Sequence, residues 1–162
     1  MIRQILIWPD KMLTQEADEV TVFDDDLKQL ADDMIETMVA ANGKGLAAPQ
    51  MGVLKNIIVV DLNGIPTVLV NPSYSSETGE TQNLQEGCLS VPGVFERFDR
   101  LAEIRVVAQD VSGADIPPML LKGYDARAVL HELDHLNGIV FVDYLSSLKR
   151  DIIRKKMLKL KR

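Results

Sequence analysis

The chain has 162 residues, 46% of them apolar and 26% charged, the size and balance of one ordinary globular domain, and this argues against both a disordered tail and a membrane protein. The net charge of −6 is unevenly placed: residues 149–162 hold eight of the 18 Lys and Arg and a single acid, Asp151, so an acidic body is expected to end in a basic helix. A lone cysteine leaves no internal disulfide, and Met1–Asp10 carries no cleavage site or amphipathic presequence, so the expected compartment is the cytoplasm, with no membrane partner.

In chain order, Leu27, Leu30, Ala31, Met34, Ile35, Met38 and Val39 recur at three and four between Asp24 and Asn42, with aspartates at the start and Gly43 after the end. This spacing predicts a helix. The β-branched run Asn56–Leu62, then Asn63-Gly64, then Ile65–Val70, predicts two antiparallel strands joined by a tight turn. The polar stretch Ser73–Asn83 reads as a loop, and Leu101–Gln109 alternates as a strand before the turn Asp110–Gly113. Pro117-Pro118 weakens Ile116–Leu121 as a central strand. Helical spacing returns from Asp125 to Asn137 through Ala128, Val129, Leu133 and Leu136 and stops at Gly138. In the tail, Leu145, Leu148, Ile152, Ile153, Met157 and Leu160 share about half of a helix circumference, and Leu158 falls outside it. That pattern predicts a terminal helix packed on the body with its Lys/Arg face in water.

The only two histidines are His131 and His135, separated as in His131-Glu132-Leu133-Asp134-His135. Four residues apart on a helix, both imidazoles lie on one face and can reach one ion, while Glu132 projects about 100° away and can act on a water there without being a ligand. A third ligand is needed. The downstream His of one metalloprotease class would fall at Phe141, and no glutamate follows Glu132, so both protease arrangements fail. The remaining scarce soft donor is Cys88, in Glu86-Gly87-Cys88-Leu89-Ser90. Cys88, His131 and His135 leave one position open, the catalytic pattern, and the set suits Zn(II), Fe(II), Co(II) or Ni(II) without selecting among them. A closed structural zinc site remains an alternative and would need Asp134 or Asp143 as fourth ligand. The expected fold is α+β: antiparallel strands around a central metal-binding helix, with a C-terminal helix. Residues 1–148 would form a single catalytic domain, continued by the basic helix at 149–162.

Three segments together resemble the peptide deformylases, which remove the formyl group from nascent N-formylmethionyl chains. They are Gly43-Lys44-Gly45-Leu46-Ala47-Ala48-Pro49-Gln50, Glu86-Gly87-Cys88-Leu89-Ser90 with Val91-Pro92-Gly93, and His131-Glu132-Leu133-Asp134-His135 with Leu136-Asn137-Gly138. The likeness runs from Pro9-Asp10 to about Leu145. It implies that Cys88, His131 and His135 hold one divalent ion, Fe(II) in the cell with Zn(II), Ni(II) or Co(II) as substitutes. It also implies that Glu132 deprotonates water and later protonates the leaving amine, and that the Gln50 side chain and the Leu89 backbone N–H donate to the oxyanion. Gly43 and Gly45 would let an extended formylated peptide lie along the backbone as an added strand. The implied partners are N-formylmethionyl nascent peptides and, through the basic helix, the ribosome. Two positions depart from the family pattern: Lys44, where an aliphatic residue is usual, and Leu130, in place of the Gln that commonly precedes the first histidine.

Overall fold

The computed structural model describes residues 1–160; Lys161 and Arg162, the end of the basic tail, lie outside the described residues. The first helix, α1 (Asp25–Ala40), begins where the Asp24 carboxylate accepts from the Leu27 N–H at 3.0 Å, and Asp25 and Asp26 in its first turn complement the helix dipole. It ends at Asn42 in the left-handed region (φ 54°), and the Gly43 N–H returns to the Met38 carbonyl.

Five strands make an antiparallel sheet in the order β1 (Gly45–Ala47), β2 (Ile57–Leu62), β3 (Ile65–Ser75), β6 (Glu103–Gln109) and β7 (Met119–Lys122). Asn63 and Gly64 both have positive φ in the β2–β3 turn, the conformation that this dipeptide favours. Ile57–Val60 are fully buried because β2 is covered on both faces: Ile57 and Val59 pack with Leu27, Met34 and Met38 of α1, and Ile58 and Val60 pack with Ala126, Val129 and Leu133 of the second helix, α2 (Gly123–Leu136). Val129, Leu130 and Leu133 fix the sheet-facing side of α2, which leaves its other side for polar residues.

A separate two-stranded ribbon, β4 (Thr81–Cys88) and β5 (Val91–Leu101), lies across the other side of α2. Here the structure corrects the sequence reading. The loop expected at Ser73–Asn83 shrinks to residues 76–80, because β3 continues through a bulge between Val70 and Ser73 and β4 starts at Thr81. Periodicity did not reveal the ribbon because two of the three residues that its strands bury, Glu86 and Arg100, are charged, Val91 being the third. Strand β7 follows Pro117-Pro118 and pairs only with β6, so it is an edge strand.

The terminal helix, α3 (Ser147–Leu160), packs more narrowly than its apolar arc predicts. Ile153 and Met157 are buried with Trp8, Val140 and Phe141, and the Arg154 guanidinium lies over the Trp8 ring at 4.8 Å. Leu148, Ile152 and Leu160 are exposed, so a single ridge of the helix meets the body. Among the described residues no helix is long and apolar enough to cross a membrane.

Candidate metal centre and catalytic cleft

Cys88 closes β4 at a bulge, where the ribbon reverses through Leu89 and Ser90 to Val91. That reversal points its sulfur at α2, and the donor atoms of Cys88, His131 and His135 all lie within 4.8 Å of one another. The Cys88 Sγ is 3.3 Å from His135 Nε2. His131 hydrogen-bonds to a Glu86 carboxylate oxygen through Nδ1, which leaves its Nε2 for the cluster. The i, i+4 spacing therefore meets the one cysteine as expected from the sequence.

Glu132 is buried, and its Oε1 has no hydrogen-bond partner. Burial raises its pKa to about 7 against the pull of His131. Its other oxygen explains Gly45: a Cβ there would stand 2.5 Å from Glu132 Oε2. A Cβ on Gly43 would likewise meet the Leu89 side chain at 2.6 Å. Both glycines thus make room for neighbouring protein side chains, a reason that the turn-capping pattern does not reveal. Gln50 sits in a single helical turn after β1 and is 1% exposed. Its Oε1 accepts from the Ala47 N–H at 2.9 Å, which orients its Nε2 towards Ser90 Oγ (3.0 Å) and Cys88 Sγ (3.7 Å). The N-terminal segment anchors this corner, because Leu6 N–H donates to the Gln50 carbonyl and Trp8 N–H to the Ser90 carbonyl.

A cleft of about 420 Å³ opens between β1, the β4–β5 turn and α2. His131 and Glu132 line it, and exposed Phe95 and Tyr124 stand at its rim. Lys44 lies on the β1 side, its ammonium 3.1 Å from Asp125 and donating to the Asp61 carbonyl at 2.9 Å. Leu130 packs in the core with Leu133 and so offers His131 no polar contact.

That contact comes from Glu86, which motif spacing does not single out. Arg100 grips both of its oxygens, Nε at 2.7 Å and Nη2 at 2.9 Å, and Arg127 Nη1 adds a third bond at 3.2 Å. Burial works against the Glu86 carboxylate, yet the bonds from Arg100 and His131 hold its pKa down at about 2. The two histidines differ accordingly. Burial lowers both, but the negative charges of Cys88 and Glu132 and the bond to Glu86 bring His131 above the ordinary value, whereas His135, beside His131 and with no partner for its Nδ1, falls well below it.

The donor set fits a divalent ion. A soft sulfur and two imidazoles converge, and Glu132, with a buried carboxylate oxygen that has no partner, lines the same cleft as Cys88 and His131. The closed-site alternative finds no fourth ligand among the described residues. Asp134 is turned to Arg100 and Tyr144, and Asp143 accepts from the Val140 N–H, so neither joins the three donors.

Comparison with known proteins agrees with this geometry. A sequence model of the polypeptide deformylase family matches residues 2–151. The peptide deformylase of Stutzerimonas stutzeri (strain A1501) is 47% identical over 164 residues, covering 99% of this chain and 97% of its own. That of Pseudomonas aeruginosa is 48% identical over 159 residues, covering 96% and 94%. Among solved structures, the peptide deformylase from Ehrlichia chaffeensis in complex with actinonin superposes with a TM-score of 0.95 at 40% identity, covering 99% and 98% of the two chains. The enzyme from Legionella pneumophila gives 0.93 at 42% identity, covering 100% and 96%. The chain belongs to the polypeptide deformylase family.

Proposed function

We propose that this enzyme, which hydrolyses the formyl group from the N-terminal formylmethionine of nascent chains and releases formate, works with one divalent ion held by Cys88, His131 and His135. The observation that carries the assignment is the convergence of three donors at a cleft that Glu132, whose buried Oε1 is free of any protein partner, also lines. An ion bound there would supply Lewis-acid activation of water and of the formyl carbonyl. Glu132 takes a proton from the attacking water and hands it to the amine as the C–N bond breaks, and its burial, which favours the protonated form, assists the first transfer. The oxyanion accepts from the Gln50 Nε2–H and the Leu89 backbone N–H. Gln50 is already oriented for this by the Ala47 N–H on its other end. Formate and a free methionyl amine leave, so one water is consumed per turnover.

The substrate backbone pairs with β1, whose outer edge has no strand neighbour among the described residues, and its first side chain enters the cleft lined by Arg127, Ala128 and His131. Gly43 and Gly45 serve the peptide indirectly: they let Leu89 and Glu132 come close to the edge along which it lies. Fe(II) is the ion expected in the cell, with Zn(II), Ni(II) and Co(II) as substitutes, since a sulfur and two imidazoles accept all four. The enzyme works in the cytoplasm, where formylated chains emerge. The exposed Lys and Arg of α3 dock near ribosomal RNA through counterion release. Residues 1–148 form the catalytic domain, and the basic tail at 149–162, described as far as Leu160 in α3, continues it. Truncation after Ser147 tests the docking: unchanged ribosome binding with an unchanged salt dependence would remove it.

The catalytic assignment is tested by formate release from a formyl-methionyl dipeptide, using anaerobically purified protein of known metal content with Glu132→Ala alongside. Release that vanishes in the variant while the ion stays bound supports it. Absence of release at full metal occupancy overturns it.

A further inference from the structure

We propose that Asp134 and Tyr144 are positioning residues for the metal, acting on His131 through Arg100 and Glu86. Asp134 lies between the two histidines in sequence, yet its carboxylate faces a second, smaller cavity of about 210 Å³ on the other side of α2, lined also by Tyr74, Phe98, Arg100 and Tyr144. From there a continuous chain of bonds runs back to the metal cluster. Tyr144 OH donates to Asp134 Oδ2 at 2.7 Å, and Arg100 Nη1 donates to the same oxygen at 2.8 Å. Arg100 Nε and Nη2 hold both oxygens of Glu86, and Glu86 accepts from His131 Nδ1.

The geometry is restrictive because the guanidinium is planar. With Nη1 tied to Asp134, one orientation of the plane is left for Nε and Nη2, and this sets the plane of the Glu86 carboxylate. Glu86 in turn fixes the ring angle and tautomer of His131, leaving Nε2 free beside Cys88 and His135. Tyr144 adds a second restraint, since its ring lies 5.3 Å from the Arg100 guanidinium and 5.4 Å from the Phe98 ring.

Charge points the same way. Arg100 and Arg127 are both buried, and both bond to Glu86. Without Asp134, two guanidinium charges face one carboxylate next to a site for a divalent cation. With it, a partly buried carboxylate balances the second guanidinium and the four charges cancel. Arg127, anchored through Nη2 to the Gln82 and Phe98 carbonyls, reaches only Glu86 Oε1 and not the Oε2 that meets His131, so it does not duplicate the grip of Arg100 on both oxygens.

This inference rests on the assignment of Cys88, His131 and His135 as metal ligands, and the experiment separates the two. Full-length protein is loaded with Co(II), and its visible absorption and the rate of cobalt release to a chelator are measured. A wild-type protein that takes up no stoichiometric cobalt, or shows no sulfur-to-cobalt band, overturns the ligand assignment itself. With that band present, Asp134→Asn is expected to shift the cobalt ligand-field bands and speed release about 10- to 100-fold. Tyr144→Phe, which removes only a hydroxyl from a half-exposed ring, is expected to speed release about threefold. Val129→Ala, a cavity on the sheet face of the same helix, lowers thermal stability and is expected to leave bands and release rate unchanged. Wild-type spectra and release in both Asp134→Asn and Tyr144→Phe would overturn the proposal. So would a Val129→Ala protein that loses cobalt as fast as Asp134→Asn.

Discussion

Helices α2 and α3 have the same length and are both amphipathic by spacing, yet the protein treats them differently. In α2 nine residues are buried, and Arg127, His131, Glu132 and His135 are among them. In α3 only Ile153 and Met157 are buried, and three of the apolar residues of its arc remain in water. Apolar spacing says which way a helix leans; how far it sinks depends on whether other elements bring partners for its polar residues. The β4–β5 ribbon brings Glu86 and Arg100 to α2, so α2 can be covered on its polar side as well. To α3 the body brings only rim partners, Glu96 of β5 to Lys149 and backbone carbonyls to Arg150 and Lys156, and none of its described charged residues is buried.

The largest expected effect is on chemistry in α2. Glu132→Ala should lower kcat for a formyl-methionyl dipeptide by about 10²- to 10⁴-fold with metal content unchanged, as measured by formate release. A variant with near-normal turnover would remove Glu132 as the base and leave its burial without a catalytic reason.

Next is the partner that permits the burial. The folded pKa of Glu86, about 2, lies below its ordinary value of 4.5. Between these two pH values the unfolded chain binds more protons, so this contribution to stability is full above 4.5 and is lost as pH falls through the window. Its size is about 3 kcal/mol. Glu86→Gln should therefore be less stable than wild type at pH 7, and the gap should close as pH falls towards 2, measured by urea unfolding of chelator-treated protein. A gap independent of pH would show that shape, not charge, keeps Glu86 in place.

Gly45→Ala sharpens the comparison from the side of β1. The added methyl displaces the Glu132 carboxylate, and a shift of that kind should lower kcat about 100-fold with a smaller change in KM. A change confined to KM would instead indicate that Gly45 serves the peptide directly. On α3, Met157→Ala removes a fully buried side chain and should destabilise by about 2 kcal/mol, read from the thermal midpoint. The smallest effect is expected at its exposed arc, where Leu148→Ser should stay within about 0.5 kcal/mol. A larger loss there would mean that the outer face of α3 is covered in solution.

Parts of this protein are written locally and were legible. The spacing of Leu27 through Met38 located α1 within two residues at each end, and Asn63-Gly64 located the hairpin, because both signals act within one turn of chain. His131 and His135 declared a shared face through helix geometry alone, and Cys88 joined them as the one remaining soft donor. The two departures were visible as residue types, but not their consequences. Only the fold shows Lys44 tied to Asp125 and Leu130 packed away from His131.

What the sequence determined by itself is therefore which three side chains can converge and the helix that carries two of them, since a helix repeats every 3.6 residues whatever surrounds it. What the tertiary structure decided is the environment of those donors. The ribbon at 81–101 is hidden from the sequence because two of its three buried residues are charged, and charge in a strand looks like exposure until its partner is known. Arg100 meets Glu86 from 14 residues away, Asp134 from 34, and Glu86 meets His131 across 45. No local pattern encodes pairings at such separations. They arise where the ribbon folds across α2, and burial then makes each of these charges depend on the others.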